Sequence, residues 1–201
     1  AILFIGEGPG FYENESGRPF VGAAGKFLGE LLEKIGMKRE QVFIGNVVKC
    51  RPPGNRDPQP EEIAACSDYL DRQIAAINPK VIVSLGRFSM AKFLPNAKIS
   101  TVHGQSFQIG GRLVVPMYHP AAALHQPSLK TDIEKDFARL PELIAKGSIS
   151  AHAPAPAATP KVSETPSLFS QAPLFAQPET RPEEPPAEQK PKPQPKQLSL
   201  F

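Results

Sequence analysis

Apolar residues along this chain come in two kinds of run. Ile2-Leu3-Phe4-Ile5, Gln41–Val48 (QVFIGNVV) and Lys80–Leu85 (KVIVSL) are short and largely unbroken, as strands buried on both faces are. Other runs repeat at helical spacing. Phe27, Leu28, Leu31, Leu32 and Ile35 form a stripe between Gly25 and Gly36, and Gly36 is a natural helix stop. A second amphipathic helix is expected over Glu61–Ile77, with Glu61 and Glu62 in the first turn, where the helix dipole favours acid. Ser89–Leu94 reads as a short helix before Pro95, and Leu129–Lys146 as a last long one. Ser106–Ile109 and Arg112–Met117 flank Gly110-Gly111, the pattern of a hairpin. Lys49–Pro60 holds four prolines and one glycine, a rigid loop that cannot be helix interior.

Strands alternating with helices predict a mainly parallel α/β sheet covered on both faces, a three-layer αβα fold. Three loops are expected to meet at one edge of that sheet: Gly6–Phe20, Asn46–Pro58 and His119–Leu124. No internal repeat appears.

The pattern fades after Gly147. Of the 24 prolines, 12 lie in Ser148–Phe201, a stretch without glycine. The expected organisation is a folded domain over 1–147 and an extended, disordered tether over 148–201. The tether carries five basic and five acidic side chains, so the net charge of +3 belongs to the domain. That is a mild basic excess, compatible with nucleic acid without pointing to it. With no long apolar run and no signal peptide, the expectation is a soluble cytoplasmic monomer with no membrane segment. Two cysteines exclude a disulfide-dense secreted fold. The chain begins at Ala1 directly on a strand, without an initiator Met, and further residues are expected ahead of it.

Candidate chemistry gathers in the loops. Gly6, Gly8, Pro9 and Gly10 surround Glu7, and glycine lets backbone approach a ligand closely. The phosphate-binding patterns fit poorly: no Gly-Lys-Ser/Thr follows, and Phe11 stands where a dinucleotide fingerprint needs its third glycine. Phe20, within Gly17-Arg18-Pro19-Phe20-Val21-Gly22, is either a loop aromatic tucked into the core or a face on which a base stacks. Asn46 is either a turn former or a carboxamide that reads a base edge. His119-Pro120 ends the last strand, as a structural residue or at the mouth of a site. Cys50 and Cys66 cannot alone close a metal or cluster site, which needs about four ligands.

These pieces together resemble the family 4 uracil-DNA glycosylases of bacteria and archaea. Gly6-Glu7-Gly8-Pro9-Gly10, Gly17-Arg18-Pro19-Phe20-Val21-Gly22, Asn46-Val47-Val48-Lys49-Cys50-Arg51-Pro52-Pro53 and His119-Pro120 stand in that family's order and spacing. The resemblance implies hydrolysis of the bond between uracil and deoxyribose, with the base rotated out of the duplex. By matched position it implies that Glu7 and Gly8 place water and contact the base. It makes Glu13 line the pocket near uracil C5, Phe20 the stacking platform and Asn46 the reader of the uracil edge. His119 then hydrogen-bonds O2, Leu124 is a wedge in the base stack, and Asn55 occupies a polar position. It also implies a four-iron, four-sulfur cluster, with Cys50 and Cys66 as the later pair of four ligands and the earlier pair ahead of Ala1. One departure is Asn14, where the family usually has Asp after Glu.

The tether ends in Gln197-Leu198-Ser199-Leu200-Phe201, similar to the bacterial sliding-clamp binding motif. Gln197 would anchor it, and Leu198, Leu200 and Phe201 would supply the apolar contacts. Gln171–Phe175 (QAPLF) is a weaker copy. Two functions follow: a uracil-DNA glycosylase guided to the replication clamp, or a non-catalytic uracil-DNA-binding or polymerase-associated protein on the same fold.

Overall fold

The structure, a computed structural model, describes residues 1–150, with side chains as far as Lys146. The strands are β1 (Ile2–Gly6), β2 (Phe43–Asn46), β3 (Val81–Leu85), β4 (Phe107–Ile109) and β5 (Arg112–Met117). The helices are α1 (Phe11–Ser16), α2 (Ala23–Lys34), α3 (Pro60–Ile77), α4 (Arg87–Ala91), α5 (Ile99–Val102), α6 (Pro120–His125) and α7 (Leu129–Ser150). The sheet order is β2-β1-β3-β5-β4; all neighbours are parallel except the β4–β5 hairpin.

Alternation along each strand builds the two cores. Phe4, Val83, Leu85, Val115 and Met117 face Leu28, Leu31 and Leu32 of α2 and Ile133, Phe137 and Leu140 of α7. Phe4 and Phe137 stack at 6.2 Å. Leu3, Ile5, Ile82 and Val114 face the other way, against Leu70 and Ile74 of α3. The expected αβα layering is therefore present, with no helix among the described residues long and apolar enough to cross a membrane.

The parallel strands bring four carboxyl ends to one edge. Gly6 pairs with Asn46 at the end of β1 and β2, and Gly86 N–H donates to Met117 O at the end of β3 and β5 (2.8 Å). β2 is shorter than the expected Gln41–Val48. Arg39–Gln41 forms a 3-10 turn instead. Val47 and Val48 are buried past the strand, their N–H groups donating to Gly6 O and Glu7 O (both 3.0 Å), so two of the three loops are joined backbone to backbone.

Three helices stand where loop or no element was expected: α1, α5 and α6, of six, four and six residues. Such short pieces cannot display an apolar stripe. Gly17, left-handed at φ 66°, ends α1, and Pro120 opens α6 at a position where a missing N–H costs nothing. The last helix runs to Ser150, past Gly147, with Pro141 inside it. Residues 151–201, where the tether and the clamp-like ending were expected, lie outside the described residues.

Candidate active site

The floor of the site follows from the β1–β2 register. A Cβ on Gly6 would lie 2.6 Å from Asn46 Oδ1 and 2.7 Å from the Phe20 ring, so only glycine lets amide and ring close on this backbone. Phe20 is buried, at 7% exposure, and its backbone is left-handed (φ 54°). An L residue held there costs about 1–3 kcal/mol. Three contacts keep it in place. Gly25 of α2 packs so near that a Cβ would sit 2.0 Å from Phe20 O. Glu13 Oε1 accepts the N–H groups of Val21 (2.9 Å) and Gly22 (2.8 Å). The Arg39 guanidinium donates to Pro19 O.

His119 stacks on Phe20, with ring centres 5.3 Å apart and planes 29° from parallel. It also caps α6: its Nδ1 accepts the Ala121 N–H at 3.1 Å. A nitrogen that accepts carries no proton, so in the neutral ring the proton is on Nε2. Burial pushes the imidazole pKa down to about 4, with Glu13's charge opposing. At neutral pH the ring is an uncharged Nε2–H donor.

Asn46 is buried, and its Oδ1 has no hydrogen-bond partner among the described residues. An unpaired buried acceptor costs about 1–3 kcal/mol and marks a place for a ligand donor. Below it, Lys49 Nζ donates to Asn46 O (2.7 Å) and to Gln73 Oε1 (2.6 Å), with burial holding the ammonium below its ordinary pKa. A cavity of about 340 Å³ opens beside this amide, lined by Pro9, Glu13, Pro19, Asn46, Val48 and Lys49. That size suits a small planar ligand. Burial alone would raise the Glu13 carboxyl, but the backbone N–H groups of Gly22, Glu13, Val21 and Gly10 together outweigh it and hold the group below its ordinary value.

Glu7 stands on the neighbouring loop. Burial pushes its carboxyl above the ordinary value, Asp57 adds to this, and Arg87 opposes it. Arg87, just past Gly86, forms an ion pair with Asp57 and so ties the β3 end to the proline-rich loop. Gly8 is packed against Val48, whose Cγ2 would be 2.7 Å from a Cβ.

Residues 1–140 match the family described as the uracil DNA glycosylase superfamily. Among curated relatives, the type-4 uracil-DNA glycosylase of Archaeoglobus fulgidus is 50% identical over 155 residues, covering 72% of this chain and 77% of the relative. That of Sulfurisphaera tokodaii is 52% identical over 152 residues, covering 71% and 69%. That of Saccharolobus solfataricus is 48% identical over 159 residues, covering 74% of each. The chain belongs to the type-4 uracil-DNA glycosylases.

On this glycosylase scaffold the positions singled out in the sequence divide into two groups. Gly6 packs against both Asn46 and Phe20, Phe20 stacks on His119, and Glu13 braces the Phe20 loop. Asn55 and Leu124 stand apart. Asn55 is left-handed (φ 55°) and accepts from Arg51 Nε at 2.7 Å, whereas Leu124 is 52% exposed on α6. Sequence reasoning missed Gly25, Arg39, Lys49, Asp57 and Arg87 as supports. Only the Pro-rich loop around Asp57 carried any signal of a site.

Cys50 is exposed, and Cys66 Sγ accepts the N–H of Lys49 at 3.3 Å. N–H groups aimed at sulfur suit iron–sulfur ligation. Among the described residues no group of three or more ligating side chains forms. With two cysteines in the sequence, this chain's own residues cannot supply a four-cysteine set.

Proposed function

We propose that this glycosylase hydrolyses the N-glycosidic bond of deoxyuridine in DNA, the opening step of base excision repair. The observation that carries the reading is the capped His119. As the bond between N1 and C1′ breaks, its electron pair moves onto uracil and charge builds at O2. A neutral Nε2–H donor meets that oxygen without surrendering its proton, and buried donors of this kind are worth more than in water.

The remaining residues take roles that fit their surroundings. The unpartnered Asn46 Oδ1 would accept uracil N3–H while its NH₂ donates to O4; cytosine reverses both and is refused. Phe20 supplies the face for the rotated base. Glu13, fixed by two N–H groups, closes the C5 side against thymine's methyl. The sugar is left as an oxocarbenium ion, and Glu7 with the Gly8 peptide places the water whose oxygen adds to C1′. Glu7's raised pKa suits a group that takes up the proton this water releases. Asn14 adds no charge here. Leu124 enters the vacated stack, and Asn55 holds Arg51 at the rim.

The test is uracil release from a uracil-containing oligonucleotide. The chain should release uracil and leave thymine and cytosine, and Asn46→Ala and His119→Ala should abolish most of the rate. Tight binding of uracil DNA with no release would replace this reading with the non-catalytic one. Two finer proposals accompany it. Cys50 and Cys66 would hold a 4Fe-4S cluster together with two ligands from a preceding segment; a colourless full-length protein would remove that proposal. Gln197, Leu198, Leu200 and Phe201 would bind a sliding clamp, and clamp capture that survives deletion of 197–201 would end it.

A further inference from the structure

The glycosylase site accounts for one aromatic on the opening loop, Phe20, and leaves two unused. Phe11 and Tyr12, the first residues of α1, are 52% and 65% exposed, where large apolar side chains are normally covered. Their rings meet edge to face at 5.4 Å. The helix turns Glu13 to the Val21 and Gly22 N–H groups and leaves these two rings outward.

Positive charge adjoins them. The Arg51 guanidinium lies over the Phe11 ring, 5.3 Å from its centre. Arg51 is steadied by its Nε bond to Asn55 Oδ1, and no other acceptor among the described residues takes its remaining N–H groups. Tyr12 also lines a cleft of about 650 Å³, together with Glu15, Val21, Gly22 and Lys26. Val21 and Gly22, which line this cleft, donate to Glu13, which lines the base pocket, so one carboxylate links the two.

We propose that Phe11 and Tyr12, with Arg51 and Lys26, form a stacking ledge for an unpaired nucleotide adjoining the uracil, and so favour single-stranded uracil DNA. The chemistry is that of single-strand binders: aromatic faces take bases of any sequence, and cations beside them take the phosphates. A paired base has both faces covered by its neighbours and cannot occupy the ledge. The inference rests on the uracil-DNA reading of the site.

The experiment measures uracil release from single-stranded oligonucleotides in which one nucleotide at a time, on either side of uracil, is abasic. For the unaltered chain, KM should rise about tenfold at the one flanking position that occupies the ledge. A Phe11→Ala/Tyr12→Ala double variant should start about tenfold higher in KM on the fully based strand, with kcat within about twofold, and should ignore the abasic replacement. Phe11→Tyr/Tyr12→Phe should restore the KM. The chain contains no tryptophan, so Tyr12→Trp adds a single reporter whose emission should be quenched by single-stranded DNA. A double variant with the original KM and abasic profile, or an unquenched Trp, overturns the ledge. Failure of the unaltered chain to release uracil from any substrate overturns the functional reading instead, and Trp quenching by uracil-free single strands still decides the ledge.

Discussion

Phe20 and Phe11 lie nine residues apart on one loop and are treated in opposite ways. Phe20 is 7% exposed, left-handed, wedged between Gly6 and Gly25 and stacked on His119. Phe11 is 52% exposed on a regular helical turn and touches an exposed tyrosine and an arginine. The first arrangement fixes a ring before any ligand arrives, at a cost in backbone strain, and suits chemistry that depends on position. The second leaves ring surface in water and suits binding that tolerates variety. On the proposed roles, the contrast would separate catalysis from grip within a single segment.

The sharpest way to break that contrast is at its fixed end. His119→Ala should lower kcat by about a hundredfold to a thousandfold, the usual cost of one oxyanion donor, with KM little changed in single-turnover and steady-state assays.

Next in size is an effect on stability. His119 has a folded pKa of about 4, against 6.5 for the free side chain, so below pH 6.5 the unfolded chain takes a proton that the folded one refuses. The stability this group contributes is complete above pH 6.5 and declines towards pH 4 by about 3 kcal/mol in total. Glu7, whose carboxyl is raised, titrates above 4.5 with the opposite sign, so the comparison must be between the original chain and His119→Gln. Urea denaturation from pH 7 to 4.5 should show a shallower pH dependence in the variant. Equal slopes would mean that His119 is not held neutral by the fold.

Gly25→Ala should follow, costing about 1–3 kcal/mol by forcing Phe20 out of its left-handed turn. Its diagnostic is a fall in kcat that Gly29→Ala does not share, since a Cβ on Gly29, on the same helix, would meet no atom within 4 Å. Smallest is the open end of the comparison: loss of Phe11 and Tyr12 should cost about tenfold, and only in KM on single strands. A large kcat effect there would mean that the ledge belongs to the pocket.

The strands and the long helices α2, α3 and α7 are legible in the sequence because each carries enough residues to show its period. Phe20, Asn46 and His119 stand out in the sequence through the motifs shared with the family; read residue by residue, each also allows a structural role. What spacing cannot display is closeness. Gly25 looks like any helix glycine until its distance to Phe20 O is known, and Lys49 looks like a surface cation until Asn46 O and Gln73 are found around it. The shortened β2 has the same origin: Val47 and Val48 continue the apolar run, but their N–H groups go to the Gly6 loop rather than to a strand.

The ring nitrogen of His119 that lacks a proton is also the start signal of α6, the helix that carries Leu124. Protonating the ring would place two N–H groups face to face and remove that start. On the proposed roles, acid would withdraw two things at once, the Nε2–H donor assigned to departing uracil and the cap of the helix that carries the exposed Leu124. In the proposed mechanism one proton would thus connect bond breaking to the placement of Leu124.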